Sequence, residues 1–238
     1  MDGDKVVTTP GGKEGSVVAL NKKTGAVIWR SKEFTDDPHY SSLIVAEIGG
    51  VRQYIQLTAE SVAGIAAADG KLLWRAPRKG RTAVIPTPIY SGGYVYVSSG
   101  YGIGCNQFKI TAGGGKFTAE EVYANKVMDN KHGGIIKVGD YVYGHADSKG
   151  WTCQDFKTGE AKWQSNQPGK GSLIYADRRF YLRAEDKGTI VLIEASPEGF
   201  KEHGRFEQPG RSNKKAWPYP VIAAGKLYLR DMDTLLCY

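Results

Sequence analysis

The sequence has few of the features that mark disulfide-stabilised, zinc-binding, membrane-spanning or helical proteins. Its three cysteines, Cys105, Cys153 and Cys237, are odd in number and widely spaced, which fits neither a disulfide framework nor a zinc motif, so we expect small buried side chains there. No run approaches the roughly 18 apolar residues of a membrane helix, and Met1–Asp4 is polar and acidic, unlike a signal peptide. Helical periodicity is also lacking.

The positive charge is dispersed along the chain. The formal net charge is +7, but the basic residues form no helical stripe and no run longer than a pair or so. Scattered solvated lysines are therefore favoured over a nucleic-acid interface. We expect no nucleic-acid partner.

Tryptophan and glycine, by contrast, recur in a fixed pattern. Trp29, Trp74 and Trp163 each follow a glycine by four positions, namely Gly25, Gly70 and Gly159. The tryptophan spacings are 45 and 89, about one period and about two, which indicates a repeat of roughly 44 residues. The copy between them, near Thr111–Glu120, has lost its tryptophan, and the fifth copy has Phe206 near the expected position.

A second pattern runs in phase with the first and consists of a Gly or Asp turn followed by an alternating, mostly aromatic strand. Its six copies are Gly3–Val7, Gly50–Ile55, Gly93–Val97, Gly139–Tyr143, Asp177–Leu182 and Gly225–Leu229. Six copies in 238 residues leave no room for long helices.

Each period has room for four strands. In the fourth copy we predict strand A at Gly134–Val138, strand B at Tyr141–His145, strand C at Trp151–Phe156 and strand D at Glu160–Trp163. Four antiparallel strands per repeat of this length are typical of a β-propeller blade. We expect each glycine before strand D to adopt a positive φ and each tryptophan to pack between neighbouring blades.

The predicted fold is therefore an all-β propeller of four-stranded antiparallel blades in a single domain. About six blades are expected, with the first and last incomplete. Their approximate bounds are residues 4–33, 40–78, 86–125, 133–166, 171–208 and 217–238.

The repeat resembles the signature of the pyrroloquinoline-quinone-like (PQQ-like) propeller family, most clearly at Val18–Trp29 and Cys153–Trp163. The resemblance extends from Lys5 to Tyr238. That superfamily includes quinone-dependent alcohol dehydrogenases, outer-membrane assembly lipoproteins and many propellers without known activity. It implies a periplasmic or secreted location for a full-length parent.

Two departures separate this sequence from the quinone enzymes. Those enzymes carry two adjacent cysteines under the quinone, and no two cysteines are neighbours here. They also hold Ca²⁺ with a Glu, Asn and Asp set that has no residue-by-residue match in this chain. PQQ with Ca²⁺ is therefore expected only under an alternative hypothesis, a dehydrogenase of alcohols or sugars.

The two ends of the chain predict incomplete blades. Asp2–Asp4 resembles the turn between strands A and B, so the first blade is expected to lack strand A, and Thr234–Tyr238 is expected to be strand C of the last blade. We expect a fragment of a propeller with seven or eight blades, with a six-bladed ring as the alternative. Open blade edges would favour self-association.

The long loops are the expected place for a binding site, because loops on a rigid scaffold commonly carry function. In this pattern the B–C and D–A connections are long, whereas the A–B and C–D turns are short. The candidate ligand-binding residues are His39, Tyr40, Tyr101, His132, His145, Trp151, Lys170, Arg183, Glu185, Trp217 and Arg230, with Tyr219 beside them.

Two sharper interpretations of these residues are possible. His132 and His145 flank one blade and could bind a metal, but without a third ligand solvated histidines are favoured. Arg183 and Glu185 alternate along one strand, and we expect a solvated ion pair rather than an acid/base couple. The functional hypothesis is a non-catalytic propeller that binds a protein, peptide or glycan through its loops.

Overall fold

The chain is built from short β-strands and contains no α-helix. The structure is a computed structural model that describes all 238 residues, Met1–Tyr238, with 22 strands in six antiparallel sheets. It has no helix that could cross a membrane. The residues group into two compact units, which we call the first unit (Met1–Ser99 and Cys105–Ala124) and the second unit (Gly100–Gly104 and Asn125–Tyr238).

Three sheets make up the first unit, and consecutive strands pair in each of them. The first sheet has three strands, β1 (Lys5–Thr8), β2 (Val18–Asn21) and β3 (Val27–Arg30). The second has four, β4 (Ile44–Ile48), β5 (Val51–Leu57), β6 (Ser61–Ala66) and β7 (Leu72–Pro77). The third also has four, β8 (Ile89–Ser91), β9 (Tyr94–Ser99), β10 (Gly104–Gly113) and β11 (Lys116–Asn125).

The second unit repeats this plan. Its fourth sheet contains β12 (Ile135–Val138), β13 (Tyr141–Ala146), β14 (Gly150–Asp155) and β15 (Ala161–Ser165). The fifth contains β16 (Gly171–Ala176), β17 (Arg179–Ala184), β18 (Thr189–Glu194) and β19 (Glu202–Glu207). The sixth has three strands, β20 (Val221–Ala223), β21 (Lys226–Asp231) and β22 (Thr234–Cys237). The six sheets thus have three, four, four, four, four and three strands in chain order. This is the number of strands predicted for each blade.

The apolar core of each unit lies between neighbouring sheets, because a four-stranded sheet cannot bury its own faces. Side chains alternate between the two faces of a strand, so one row of the fourth sheet, Tyr143, Cys153 and Trp163, packs against Leu182 and Val191 of the fifth sheet. Similar clusters join the first sheet to the second, the second to the third and the fifth to the sixth.

Small residues lie opposite the repeat tryptophans on the neighbouring strand. Trp29 pairs with Ala19, Trp74 with Gly64 and Trp163 with Cys153. A β-carbon on Gly64 would lie 2.1 Å from the indole nitrogen of Trp74. The bulky indole can therefore cover its neighbour only where that neighbour is small.

A β-bulge follows the residue opposite the tryptophan in each of these sheets, and it identifies the equivalent position in the fifth sheet. There the bulge follows Leu192, whose partner on β19 is Gly204. Phe206, expected near the tryptophan position, lies two residues beyond it, because the bulge sets a register in which Phe206 pairs with Ile190. Phe206 instead packs at the interface with the sixth sheet.

The indole N–H groups find two kinds of acceptor. Trp29 donates to the carbonyl of Ala67 at 3.3 Å and Trp163 to that of Ser196 at 2.8 Å, in each case in the C–D turn of the next sheet. Trp74 donates instead to the Gln53 side chain of its own sheet at 2.8 Å. The glycines that precede the tryptophan-bearing strands, Gly25, Gly70 and Gly159, have φ values of +73°, +79° and +76°.

The cysteines only partly follow expectation. Cys105 and Cys153 are buried, but Cys237 is exposed. Cys237 pairs with Tyr228 and lies on β22, the edge strand of the three-stranded sixth sheet. Its exposure therefore accompanies its position on an edge strand.

Candidate functional site

The candidate residues divide between the two units. His39 and Tyr40 lie in the first unit, where the backbone of Val84 binds both: its N–H donates to His39 Nδ1 and its carbonyl accepts from Tyr40 N–H, each at 3.0 Å. This arrangement gives His39 a structural contact and leaves the Tyr40 side chain exposed. The other nine candidates lie in the second unit: Tyr101, His132, His145, Trp151, Lys170, Arg183, Glu185, Trp217 and Arg230.

Four side chains from three loops of the second unit meet at His132, and we call them the His132 cluster: His132, Glu185, Lys215 and Trp217. His132 Nε2 lies 3.0 Å from Glu185 Oε2, and Lys215 Nζ lies 3.4 Å from Glu185 Oε1. The Trp217 ring centre is 5.9 Å from that of His132. A buried glutamate thus ties together three loops that are distant in sequence.

A second set of polar side chains lies close to this cluster. Lys170 Nζ pairs with Asp147 at 2.5 Å, and His145 is buried with its ring edge-on to Trp151 at 5.3 Å. The indole N–H of Trp151 donates to the carbonyl of Gly169, so Trp151 is part of the core and not of a ligand surface. The expectation of solvated histidines was wrong for His145, because β13 points its side chain toward the fifth sheet.

Burial and nearby lysines keep both histidines neutral. Burial lowers the pKa of His145 to about 4, and the charge of Lys170 acts in the same direction. The pKa of His132 is also lowered, mainly by burial, although Glu185 opposes the shift. With His132 neutral, the 3.0 Å approach of its Nε2 to Glu185 Oε2 is not a full ion pair, and that buried oxygen has no hydrogen-bond partner in the structure.

Arg183 has a structural role that the sequence did not predict. Its side chain is fully buried and donates to the carbonyls of Arg230 at 2.8 Å and Pro218 at 3.3 Å, and to the Gln208 side chain at 2.5 Å. The expected solvated pair with Glu185 was wrong, because Glu185 follows the end of β17 and turns toward His132 and Lys215. Arg183 instead joins the fifth sheet to the sixth.

The charged and polar side chains next to the sixth sheet also bind one another. Asp231 lies 2.6 Å from Arg211 and accepts hydrogen bonds from the backbone and hydroxyl of Ser212. Burial acts to raise the pKa of Asp231, but these donors outweigh it and lower the pKa to about 2. The loop that carries Trp217 is therefore held by charged contacts at Arg211 and at Lys215.

Two aromatic side chains of this loop remain open to solvent, Trp217 at 63% exposure and Tyr219 at 47%. Tyr219 lies on Gly134, where a β-carbon would come within 2.9 Å of the Tyr219 ring, so only glycine allows this contact. On another loop Lys131 sits over the Tyr101 ring at 4.9 Å. Exposed aromatic rings on a rigid support are typical of binding surfaces.

The residues do not fit the metal or quinone of the related enzymes. No three His, Cys, Asp or Glu side chains converge as a metal site would require. The three cysteines lie in three different sheets, on β10, β14 and β22, so no adjacent pair can face a quinone ring.

Sequence reasoning missed Asp147, Lys215 and Arg211, which complete these contacts. All three lie on B–C or D–A loops, and the repeat could have directed attention to them. What it could not supply is the pairing between loops of different sheets, since that pairing depends on how the sheets pack.

The comparisons with known proteins agree with this architecture. The family model described as outer membrane protein assembly factor BamB matches residues 1–165. BamB from Moraxella catarrhalis superposes on all of this chain and 67% of its own, with a TM-score of 0.71 at 15% identity. The Cps50 (Swd1) β-propeller domain from Myceliophteria thermophila superposes on 99% of this chain and 79% of its own, with a TM-score of 0.64 at 14% identity.

A computationally designed protein, Ika8, covers all of this chain and 81% of its own, with a TM-score of 0.59 at 12% identity. No curated protein sequence matches the chain. At these identities the structural likenesses establish the β-propeller fold alone. The family match covers more than half of the sequence, and the chain therefore belongs to the BamB-like family of PQQ-repeat β-propellers.

Proposed function

We propose that this chain is a non-catalytic scaffold that binds a protein partner through the loops of its second unit. The observation that carries the proposal is the pair of exposed rings, Trp217 and Tyr219, on a loop held by buried polar contacts. Aromatic residues at the centre of a rigid patch provide much of the binding energy in protein interfaces. A segment of peptide or a glycan could use the same rings, and a protein is favoured by the assembly role that the family description names.

The chemistry around the rings supports binding more than turnover. Lys170 is paired with Asp147, Lys215 with Glu185 and Asp186, and Arg211 with Asp231. A general base or nucleophile must be available to a substrate, whereas these groups hold one another in place. A location at an outer membrane or in the periplasm is proposed from the family alone.

The proposal can be tested by photo-cross-linking. A photoreactive phenylalanine at position 217 should capture one protein in the source cells, and that protein should then bind the purified chain. Trp217→Ala and Tyr219→Ala should each weaken this binding at least tenfold. Tyr175→Ala is the matched control, because Tyr175 is an exposed aromatic on β16 at the opposite end of the strands.

Two results would contradict the proposal. One is capture at position 175 of the same protein with the same yield as at position 217. The other is a purified partner whose affinity is unchanged by both loop substitutions. Either result would place the partner on another surface.

A further inference from the structure

The face between the fifth and sixth sheets of the second unit carries a buried polar group. Arg183 of β17 pairs with Ser172 of β16 on one side and with Ile190 of β18 on the other. Ile190 belongs to the apolar cluster that the fifth sheet shares with the sixth. Directly opposed residues of antiparallel strands have their side chains on the same face, so Arg183 and Ser172 are neighbours on the face toward the sixth sheet.

Arg183 is a buried cation whose hydrogen-bond partners are all neutral. Its side chain is fully buried and donates to two backbone carbonyls and to the Gln208 side chain. The carboxylate that acts on it is Asp231, but Asp231 pairs with Arg211 at 2.6 Å and is linked to Arg183 through Gln208. Since a buried charge is costly without a partner of opposite sign, Arg183 is incompletely neutralised.

The charges around Arg183 do not cancel. Two guanidinium groups, those of Arg183 and Arg211, accompany the single carboxylate of Asp231. Burial lowers the pKa of Arg183, and the charge of Arg211 acts in the same direction, yet arginine stays protonated in proteins. The phenol of Tyr238, which also acts on Arg183, is neutral at pH 7. One positive charge therefore remains without a counter-charge.

Two polar atoms on this face are buried without a hydrogen-bond partner, namely Nε of Arg183 and Oγ of Ser172. The β-carbons of directly opposed residues lie about 4.5–5.5 Å apart, so one small acceptor can reach both side chains. The Nε–H of a guanidinium can only donate, and a serine hydroxyl can donate to the same acceptor. Two donors beside an uncompensated cation are suited to an anion.

A cavity of about 500 Å³ lies next to these residues. Its lining includes Pro218 and Arg230, whose carbonyls are the ones that Arg183 binds. The lining has two cationic and two acidic side chains, so by itself it selects neither sign of charge. The preference for an anion comes from Arg183 and Ser172 behind this lining, and the cavity offers a route to them from solvent.

We propose that Arg183 Nε and Ser172 Oγ bind one small monovalent anion, either chloride or a carboxylate group. A single excess charge favours a monovalent anion over sulfate or phosphate, and the burial of both donors favours a small one. The bound anion neutralises Arg183 and so stabilises the contacts by which Arg183 joins the fifth sheet to the sixth. The site lies between two sheets and does not depend on the protein partner proposed above.

Thermal melting in different salts tests the proposal. The whole chain is melted at constant ionic strength while sodium chloride or sodium acetate replaces sodium isethionate, whose anion is larger. A ligand that binds only the folded chain raises the melting temperature, by about 5–10 °C at a hundredfold excess over its dissociation constant. We expect chloride or acetate to raise it in this way, and broadening of the chloride-35 resonance to report bound chloride directly.

Variants of the protein locate the site. Ser172→Ala should weaken the anion about tenfold, as loss of one hydrogen bond to a charged group does. In isethionate alone the same variant should melt no lower than the wild type, because the hydroxyl it removes has no partner to lose. Arg183→Met should abolish the anion effect, and if it does not fold, Ser172→Ala still decides. Ser31→Ala is the matched control, since Ser31 is a buried serine of the first unit whose hydroxyl also has no partner.

The outcomes separate the two sources of the anion. A larger effect of chloride than of acetate identifies a free ion, and a larger effect of acetate identifies a carboxylate, which an acidic side chain of another molecule could supply. Three results would each overturn the proposal: no stabilisation by either anion at physiological ionic strength, the same anion dependence in Ser172→Ala as in the wild type, or an equal loss of that dependence in Ser31→Ala.

Discussion

The loops of the first unit and those of the second unit are held by different polar contacts. In the first unit a single buried carboxylate, Asp36, accepts hydrogen bonds from Thr58 and Ser61 and pairs with Arg75 at 2.7 Å. In the second unit several separate pairs connect the loops, among them His132 with Glu185 and Lys170 with Asp147. Asp231 in the second unit also accepts several donors, so the difference lies in the additional charged pairs that the second unit carries.

The exposed apolar residues are arranged more similarly in the two units. The first unit exposes Val27 on the edge strand β3 and Tyr40 on a loop, and the second exposes Leu235 on the edge strand β22 and both Trp217 and Tyr219 on a loop. Aromatic rings on a fixed loop offer a more selective patch than the backbone groups of an edge strand. The second unit differs in carrying two such rings on one loop.

The largest expected effect is loss of the repeat tryptophans. Trp29→Ala and Trp74→Ala should each lower the free energy of unfolding by about 3–5 kcal/mol, as deletion of buried aromatic residues does. Trp163→Ala should cost less, since Trp163 is only half-buried. Urea denaturation would measure all three, and unchanged midpoints would mean that the indoles contribute little to packing between sheets.

Acid should destabilise the protein through the second unit. His145 has a pKa of about 4 in the folded chain against 6.5 for a free histidine, so the unfolded chain binds protons more readily between these values. The contribution of neutral His145 to the free energy of unfolding is therefore fully present above pH 6.5. It is lost as the pH falls toward 4, by on the order of 3 kcal/mol in total. The lowered pKa of His132 acts in the same direction.

Hydrogen exchange at pH 7.5 and pH 4.5 would locate this loss. Amides of β13, β14 and β17 should lose more protection than those of β5 and β6. His145→Gln should flatten the dependence of stability on pH in this window. The carboxylates of Asp2 and Asp231 have pKa values of about 2, so they lose their contribution to stability only below this pH window. Their regions therefore serve as an internal reference for hydrogen exchange.

A matched pair of substitutions separates the two kinds of loop support. Asp36→Asn should cost about 2–3 kcal/mol, because one residue satisfies several buried donors. Glu185→Gln should cost about 1 kcal/mol or less, because Lys215 is half-exposed and other pairs remain. Thermal melting measures both. Equal costs would show that Glu185 is as central to its unit as Asp36 is.

The sequence predicts what repeats and fails where blades differ. Alternation of aromatic residues and the Gly–Trp spacing predict the strands correctly, because every copy meets the same local demands. Gly204 takes the tryptophan position because a bulge sets the register, and no residue pattern marks that bulge. Arg183 and Glu185 separate because each finds its partners on another loop, at a distance in sequence that periodicity does not encode.

The smallest expected effect is the response to quinone. Members of the wider PQQ-like superfamily include dehydrogenases, and under that alternative Ca²⁺ and PQQ would bind tightly. We expect no stoichiometric binding at micromolar PQQ with Ca²⁺, and no reduction of an artificial electron acceptor by alcohols or sugars. Isothermal titration measures the first and a dye assay the second.

The reason for this expectation lies in the placement of the side chains that the cofactor would need. The cysteines lie singly on β10, β14 and β22, and no three acidic, histidine or cysteine side chains converge. The carboxylates with suitable charge, such as Asp147 and Glu185, are already engaged by Lys170, His132 and Lys215. A cation would have to displace these contacts. Micromolar binding would show that it does, and would favour a dehydrogenase over a scaffold.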